Sequence, residues 1–396
     1  AFYPFYQTMP TGVENSGWLI NGKKPNTASA PGIVSAEMTW ETVRSWNIGF
    51  DFGLLNNRLT GSFDYFVRNT LDMIGPAPQL PATLGATVPK VNNADMKAWG
   101  FEVEVSWRDR IKDFNYGVKF VLSDDQRKVT RYPNEELNRN QWYAGRMDGL
   151  VWGYETVGIA KTDAEMEAHL ASLPNGGQSQ LGSKWAAGDI MYKDLNGDGK
   201  ISSGDGTLND LGDLKVVANT QLRFKYGLTL DASWKGFDFS AFFQGVGKRD
   251  VVVGGPYFWG ANGQGMWQAA AFKDHMDYFR PEDTESVFGP NVDAYYPRVI
   301  FGGGSSEGGK NTLTQSRYVQ NGAYIRLKNL QLGYTLPSTI TKKFAVNSLR
   351  VYVSGDNLWT GTKMRVFDPE VLGSTGDAGK AYPLARVWSV GLNVNF

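Results

Sequence analysis

The sequence contains no cysteine and only two histidines, His169 and His275. Without cysteine the chain has no disulfides, no thiolate metal sites and no cysteine nucleophile. Two histidines in separate segments exclude a histidine-rich metal site, and a Ser/His/Asp arrangement would have to use one of them. We expect each to be a solvated loop residue, so the sequence predicts a protein that is not an enzyme.

The chain also lacks an excess of charge and any long apolar run. Its 40 basic and 40 acidic side chains balance, whereas nucleic-acid binders need a basic surface that displaces counterions from phosphate. No segment approaches the roughly 20 apolar residues of a spanning helix, so a membrane role would have to use strands. The first residues show neither an initiator Met nor a signal peptide, and we expect the chain to begin inside a longer protein.

Apolar residues at every second position are abundant, and this is the pattern of a strand with one apolar and one polar face. From 221 to 234 the even positions are apolar or aromatic, whereas the odd ones include Arg223, Lys225 and Asp231. A phase slip between Leu327 and Leu330 predicts a β-bulge. The pattern predicts about nine strands, at 46–52, 59–67, 99–107, 116–122, 221–234, 237–247, 324–334, 349–355 and 386–396.

The connections between these strands alternate in length. The short links are 54–57, 109–112, 235–236 and 336–347, and the long ones are 69–95, 124–220, 248–321 and 357–385. Outer-membrane barrels alternate short periplasmic turns with long external loops in the same way. The sequence therefore predicts an all-β fold, a transmembrane antiparallel β-barrel with long extracellular loops, whose C-terminus faces the periplasm.

Aromatic residues support this fold class. The last strand ends on Phe396, as in the signal that the barrel-insertion machinery recognises. Amphipathic rings near strand ends favour the lipid headgroup boundary. The rings in question are Trp46, Trp99, Trp107, Trp234, Phe237, Tyr334 and Trp388.

Several segments resemble SusC/RagA-type TonB-dependent transporters of the bacterial outer membrane. Three of them read GDIMYKDLNGDGKISSGD (188–205), YVQNGAYIRLKNLQLGYTLP (318–337) and RVYVSGDNLW (350–359), and further blocks lie at 40–74, 226–246 and 382–396. The blocks keep the order and spacing of that family from about Pro31 to the end.

The resemblance implies that residues 1–396 are the C-terminal portion of a barrel of about 22 strands. Its N-terminal half, plug domain and TonB-contacting segment would then lie outside this sequence. The family imports oligosaccharides or peptides with energy relayed by the TonB complex, together with a SusD-like surface lipoprotein. The resemblance therefore implies nutrient uptake across the outer membrane, with lipid, cargo, lipoprotein and TonB as partners.

The sharpest local motif lies in the long loop at 124–220 and has the spacing of a Ca²⁺-binding loop. A glycine, Gly199, occupies the sixth position, where such loops turn sharply. The twelfth position is Asp205 rather than Glu, so we expect weaker or less selective binding, with Mg²⁺ as the alternative ion. Flanking helices are not evident, and a structural loop clamp remains. The predicted ligands are Asp194, Asn196, Asp198, Lys200 through its carbonyl, Ser202 and Asp205.

Aromatic residues in the predicted external loops are candidates for contact with cargo or with the lipoprotein. Planar rings stack on sugar faces and anchor protein interfaces. The alternative is that they pack small cores within the loops themselves. The candidates are Trp142, Tyr143, Trp152, Tyr154, Tyr257, Phe258, Trp259 and Trp267.

A glycine-rich stretch and an alternative function also follow from the sequence. The stretch 304–311 approaches a phosphate-binding loop, but Asn311 replaces the Ser/Thr that holds Mg²⁺, so we interpret it as a flexible glycine-rich loop. A secreted, soluble all-β protein that binds or cleaves carbohydrate is the alternative function, because it too would show alternating strands, many aromatics and a Ca²⁺ loop.

Overall fold

The computed structural model of the protein describes residues 6–9, 11–13, 19–28, 31–35, 38–77, 83, 88–262, 271–300, 306–372 and 382–396. Its strands are β1 Thr11–Val13, β2 Asn26–Ala28, β3 Thr42–Leu54, β4 Leu59–Ile74, β5 Asn92–Ile111, β6 Phe114–Arg131, β7 Leu150–Tyr154, β8 Thr156–Ile159, β9 Ile190–Tyr192, β10 Leu214–Asn219, β11 Arg223–Trp234, β12 Phe237–Lys248, β13 Asp250–Val252, β14 Val319–Asn321, β15 Tyr324–Thr335, β16 Ser348–Thr362 and β17 Val387–Asn395.

Helices are short and lie between the strands. The α-helices are α1 Asp163–Ala171, α2 Pro256–Trp259, α3 Ser306–Gly309 and α4 Ser338–Thr341. Single 3₁₀ turns cover Gly260–Asn262, Lys273–Met276, Ser316–Tyr318 and Lys342–Phe344. None of the helices in the described part of the chain has the length and apolarity that crossing a membrane requires.

Nine strands form one antiparallel sheet in the order β17-β16-β15-β12-β11-β6-β5-β4-β3. Within this sheet, each strand pairs with the sheet strands that come before and after it in the chain. The pairs β7–β10, β8–β9 and β13–β14 form separate two-stranded sheets within the long connections. The predicted all-β fold and all nine predicted strands are confirmed. Because β-branched and aromatic residues recur at alternate positions, these segments favour extended, pleated backbone.

Register places apolar side chains on one face of the sheet and polar ones on the other. We call the first the apolar face; one row across it consists of Phe114, Trp234, Phe237, Tyr334, Val351 and Leu392. The opposite, polar face carries the row Gly117, Asp231, Ser240, Gln331, Ser354 and Ser389. These rows keep apolar side chains opposite apolar ones and polar opposite polar, so the two faces remain distinct across β6, β11, β12, β15, β16 and β17.

The predicted irregularity in β15 is confirmed. Its pairing with β16 shifts register between Leu327 and Asn329. A second shift, in the pairing of β12 with β15, lies between Phe242 and Phe243. An extra residue at such a point is a β-bulge, which restores the alternation of faces on the far side.

Short and long connections alternate along this sheet, as the sequence predicts. The link from β11 to β12 is the two-residue turn of Lys235 and Gly236, both with positive φ, at 47° and 92°. Two residues of positive φ match the right-handed twist of a hairpin. The long connections begin later than predicted, because β4 continues to Ile74, β6 to Arg131 and β16 to Thr362.

The chain divides into two units. The first consists of Ala1–Trp46, Val67–Trp99 and Arg127–Met147, and the second of Asn47–Phe66, Gly100–Gln126 and Asp148–Phe396. In the first unit Arg131 donates from Nε to Asp95 at 2.8 Å and from Nη2 to Asp72 at 2.7 Å. These ion pairs join the ends of β4, β5 and β6, in the part of each strand that lies beyond the clearly alternating sequence.

Candidate functional site

Within the second unit, three long connections share a hydrophobic core: those between β6 and β11, between β12 and β15, and between β16 and β17. We call it the loop core. Its members lie on short strands, helices and irregular segments outside the nine-stranded sheet. Its buried members are Tyr154, Ile159, Leu173, Ile190, Tyr192, Ile201, Val251, Val253, Phe258, Trp259, Phe279, Ala294, Tyr296, Tyr318, Met364 and Leu372.

Aromatic rings dominate the loop core and meet edge to face. The ring centroid of Phe258 lies 5.5 Å from that of Tyr296, and Trp259 lies 4.6 Å from Tyr318. Such pairs add about 0.5–1.5 kcal/mol beyond the area they bury. Burial also raises the pKa of Tyr296 and Tyr318 above the ordinary value. The hydroxyl of Tyr318 therefore stays protonated and donates to the carbonyl of Tyr295 at 3.0 Å.

Three of the predicted cargo or partner residues belong to this core. Tyr154, Phe258 and Trp259 are 7%, 0% and 6% exposed. Their rings therefore pack the loops' own core, as in the alternative considered from the sequence. A fourth residue, Trp152, lies half-buried on β7, paired with Val216 of β10. Trp267 lies outside the described residues.

The other three candidates lie nearer the surface. In the first unit Trp142 is 41% exposed with its ring 5.7 Å from that of Tyr132, and Tyr143 lies under the guanidinium of Arg146. In the second unit Tyr257 is 39% exposed and stacks on Phe272 with centroids 5.8 Å apart. Trp142 and Tyr257 thus retain accessible ring surface for a ligand or partner.

A buried ionic cluster joins two segments of the loop connections. Asp189 and Lys310 are fully buried and lie 2.9 Å apart, from Oδ2 to Nζ. Arg298 donates to both oxygens of Asp189, at 2.7 and 2.8 Å, and the amide of Asn311 donates at 2.8 Å. The Lys310 ammonium also lies 4.5 Å from the centre of the Trp185 ring. Asp189 is thus held by two cations and an amide at once, which makes this cluster a strong local constraint.

This cluster corrects the interpretation of 304–311 as a flexible glycine-rich loop. Residues 304 and 305 lie outside the described part, but Lys310 and Asn311 are buried anchors. Glu307 accepts from the hydroxyl and the amide of Ser183 at 2.5 and 2.8 Å. These hydrogen bonds, with Lys310, lower the pKa of Glu307 to about 2. The Lys310 ammonium is occupied by these contacts and does not face a phosphate.

The predicted metal-binding loop forms a series of tight turns. The carboxylate of Asp194 accepts from the amides of Gly197 and Gly199 at 2.6 and 2.9 Å. Asp198 accepts from the amide of Lys200 at 3.1 Å. These turns gather the side chains of Asp194, Asn196 and Asp198 on one short segment. Gly199 has φ of +77°, as the sixth position of such a loop requires.

An additional carboxylate, missed by the sequence analysis, supports this loop. Asp213 is fully buried and accepts from the amides of Leu195 and Ser202, both at 2.7 Å. Burial, with the nearby charge of Asp194, raises the pKa of Asp213. Asp213 lies beyond the twelve-residue frame of the motif, so the spacing gave no signal for it.

The other two predicted side-chain ligands, Ser202 and Asp205, differ in their exposure. Ser202 is buried, whereas Asp205 is exposed and accepts from the amide of Thr207 at 2.7 Å. Across the described ranges, no group of three or more His, Cys, Asp or Glu side chains is arranged to hold a metal ion. The three predicted aspartate ligands, Asp194, Asp198 and Asp205, are therefore not arranged as such a group, and the metal site remains a prediction.

Charged residues pair along the polar face of the sheet. Lys119 lies 2.7 Å from Glu104, and Lys225 lies 2.7 Å from Asp125. A cavity of about 290 Å³ opens on this face. Its lining consists of Ser62, Asp64, Glu102, Val103, Glu104, Val121, Leu122, Ser123 and Lys225. This wall offers hydrogen bonds and charge to a solute, in contrast to the opposite face.

The expectation of two solvated loop histidines is wrong: both are partly buried, and His169 lies on α1. Nε2 of His169 lies 3.2 Å from the amide oxygen of the buried Gln178, and burial lowers the pKa of the imidazole. His275 accepts at Nδ1 from the amide of Phe272 at 3.1 Å, and its Nε2 lies 3.1 Å from the carbonyl oxygen of Phe258. Neither ring therefore belongs to a nucleophile–base arrangement.

Comparison with known proteins identifies relatives of this chain. No family model matches the chain. It is 27% identical over 402 residues to TonB-dependent receptor P3 of Formosa agariphila, which covers 96% of the chain and 36% of the relative. It is 23% identical to TonB-dependent receptor SusC of Bacteroides thetaiotaomicron, over 93% of the chain and 33% of that protein.

The fold has close counterparts among solved structures. A chain in a structure described as the RagAB peptide transporter superposes with a TM-score of 0.68 at 22% identity, over 100% of this chain and 39% of the other. The chain thus spans little more than a third of the length of the proteins it matches. The resemblance seen in the sequence is confirmed: over nearly its whole length, this chain is similar to TonB-dependent receptors, SusC among them.

Proposed function

We propose that this chain is the C-terminal part of an outer-membrane TonB-dependent importer that takes up oligosaccharides or peptides together with a SusD-like lipoprotein. One observation carries the proposal: the sheet has an apolar face and a polar face, kept in phase across six of its nine strands. A sheet of this kind separates lipid from an aqueous solute path.

Exposure of the apolar face supports the proposal. Trp234, Leu332, Trp388 and Val390 are 50%, 56%, 67% and 78% exposed. Apolar side chains exposed together in this way are unfavourable in water, so they indicate a surface that contacts lipid or a partner protein. Lipid tails cover the apolar face without any second sheet. A soluble protein would instead need a second sheet to bury this face.

Energy supply, partner and cargo are inferred from the relatives. They are named as TonB-dependent receptors, and one similar structure is described as a peptide transporter. On this chain, the polar face and the accessible rings of Trp142 and Tyr257 are the surfaces suited to sugar or peptide. Planar rings stack on sugar faces and on peptide side chains alike.

The proposal is tested by uptake in the native bacterium. A strain lacking the gene is compared with one that carries it, on fluorescent oligosaccharides and on fluorescent peptides, with and without the proton gradient that energises TonB. We expect gradient-dependent uptake of one cargo class and recovery of the protein only in detergent-extracted outer membranes. Unchanged uptake of both classes, with the protein in the soluble fraction, would overturn the proposal.

We further propose that the loop at Asp194 to Asp205 holds a structural Ca²⁺, with Mg²⁺ as the alternative ion. Asp194, Asn196 and Asp198 would supply side-chain oxygens and Lys200 its carbonyl, with Ser202 and Asp205 completing the set. The ion would stiffen the connection at the surface that faces the lipoprotein.

Calorimetry of the purified full-length complex tests the metal site. Calcium is titrated into wild type, Asp198→Ala and a control, Asp210→Ala, whose exposed carboxylate lies outside the predicted ligand set. We expect heat of binding in wild type and the control and its loss in Asp198→Ala. Equal heats in all three would remove the site, and a magnesium titration identifies the preferred ion.

A further inference from the structure

The connection that follows β16 folds back onto the polar face of the sheet, and we call its residues 363–372 the strap. The anchor of the strap on the sheet is Arg326 of β15. Arg326 pairs with Gln244, which lies four residues along β12 from Ser240 and therefore on the same, polar face. Arg326 is only 2% exposed, so the strap covers this part of the polar face.

Two carboxylates of the strap hold the guanidinium of Arg326. Its Nη2 donates to both oxygens of Asp368, each at 2.7 Å, and its Nη1 donates to Glu370 at 2.8 Å. Lys328, also on β15, donates to the second oxygen of Glu370 at 2.8 Å. Hydrogen bonds between ionised partners are roughly twice as strong as those between neutral ones. The strap is therefore joined to β15 by a network of charges rather than by one surface ion pair.

A second arginine fixes the strap from the side of the loop core. Arg249, the buried residue that links β12 to β13, donates to the carbonyls of Pro369 and Leu372 at 3.1 and 2.7 Å. Met364 and Leu372 belong to the loop core, so both ends of the strap are buried. The strap thus has anchors at its two ends as well as in its middle.

The backbone of the strap is strained between these anchors. Val366 has φ of +72°, and the amide of Phe367 donates to the carbonyl of Arg365 at 2.8 Å. This pattern is the γ-turn of positive φ, which is rare and strained, and a β-branched side chain makes it less favourable still. Such a conformation persists where the surrounding contacts impose it. The anchors therefore set the path of the strap, against its own local preference.

We propose that Arg326 and Arg249 hold the strap against the polar face, and that the strap limits the size of the solute that can pass over this part of the sheet. This inference rests on the proposed function, since that function makes the polar face the wall of the solute path. Arg326 is then a positioning residue, because it contacts the strap and not the cargo. A fixed strap excludes volume, so it selects cargo by girth rather than by the chemical groups that the cargo carries.

Amide hydrogen exchange of the full-length protein in detergent tests whether the anchors hold the strap. The test variant is Asp368→Asn with Glu370→Gln, which removes both charges and keeps the shape of the side chains. Asp356→Asn is the matched control, because Asp356 accepts from Asn329 of β15 at 2.9 Å and lies outside the strap. We expect exchange at 364–372 to be at least about tenfold faster in the test variant and unchanged in the control. Equal exchange in wild type and the test variant would overturn the anchoring.

A second variant tests the strain in the strap. Glycine adopts positive φ without a steric penalty, so Val366→Gly relieves the turn while the anchors remain. We expect exchange at 364–372 to slow by about fivefold, because the relieved strain exceeds the added chain entropy of glycine. Faster exchange in Val366→Gly would show that the anchors do not impose the path of the strap.

Cysteine labelling tests the limit on size. Gln244→Cys places a thiol next to Arg326 on the polar face, in a full-length protein whose other cysteines are replaced by serine. Intact cells are treated with maleimides coupled to polyethylene glycol of graded length. We expect the double variant Asp368→Asn, Glu370→Gln to react faster than the wild-type background, by a factor that grows with reagent length. The same dependence on length in both backgrounds would overturn the limit.

These outcomes separate the inference from the proposed function. If wild type imports cargo, but labelling at position 244 depends on length in the same way in both backgrounds, the strap does not limit size and the importer stands. If exchange and labelling change as expected but wild type imports neither class of cargo, the strap covers the polar face as inferred and the proposed function fails.

Discussion

Placing a charge on the apolar face of β11 should destabilise the protein strongly, whereas the same charge on the polar face should not. Leu230 lies in the middle region of β11 on the apolar face, between Val118 and Ala241. Ser240 of β12 lies on the polar face, opposite Asp231 and Gln331. The substitutions Leu230→Arg and Ser240→Arg therefore bring the same side chain to two faces at neighbouring positions.

The expected costs follow from the surroundings. Arginine on the lipid face of a barrel costs about 2–4 kcal/mol near the bilayer midplane. Leu230→Arg also loses its apolar contacts with neighbouring strands. Arginine at position 240 meets water and the carboxylate of Asp231, a cross-strand pair of opposite charge worth about 0.2–1 kcal/mol in its favour.

The free energy of unfolding is measured for the full-length protein in phosphatidylcholine vesicles, by guanidinium titration with tryptophan fluorescence. We expect Leu230→Arg to lose at least about 2 kcal/mol and Ser240→Arg to remain within about 1 kcal/mol of wild type. Equal losses for the two variants, or a larger loss for Ser240→Arg, would refute the assignment of the faces.

Three further predictions concern the long connections. Lys310→Met removes one of two cations that contact buried Asp189, whose carboxylate keeps Arg298 and Asn311, so it should cost about 1–3 kcal/mol of local stability. The loss should be seen as faster amide hydrogen exchange in 183–192; unchanged exchange would contradict the role of the ion pair. The pKa of Glu307 is lowered to about 2 in the folded protein, below the value of roughly 4.3 in the unfolded chain. The contacts of Glu307 therefore stabilise the folded state fully above about pH 4.3. This stabilisation is lost as the pH falls through about 2. Exchange at 183–184 should therefore accelerate as pH falls from about 4 toward 2, after correction for the intrinsic rate; a pH-independent corrected rate would argue against it. Gly204→Ala should destabilise the 200–213 segment by at least about 1 kcal/mol. The added Cβ would lie 2.3 Å from the carbonyl oxygen of Asp210, and Gly204 has a φ of +65°, which disfavours a side chain. Amide exchange equal to wild type would show that the segment rearranges without cost.

The nine strands of the sheet were predictable because their signal is local. Alternation along a strand such as 221–234 reports which side chains share a face, and no distant contact is needed to interpret it. The ends were less predictable. Beyond Val67 and Leu122 the strands continue because pairing and ion pairs such as Arg131 with Asp95 hold them, and these depend on the tertiary structure.

The loop core could not be predicted from sequence in the same way. Arg298 and Asp189 are separated by 109 residues in the chain, so no local spacing links them. Lys310 sits in a glycine-rich stretch that has the composition of a mobile loop, and only its partners make it a buried anchor. The metal motif was visible in the sequence, but the supporting carboxylate of Asp213 was not.

A nitroxide scan of β11 tests most directly whether the two faces contact different media. Single cysteines are introduced and labelled at each position of Arg223–Trp234, in the full-length protein reconstituted in lipid vesicles. These 396 residues contain no native cysteine, and any cysteine elsewhere in the full-length protein is first replaced by serine. We expect collision rates with lipid-soluble oxygen to peak at even positions and those with a water-soluble nickel chelate to peak at odd positions. If the two reagents rise and fall together, or neither reaches the even positions, the apolar face does not contact lipid and the account of this chain as a membrane wall is wrong.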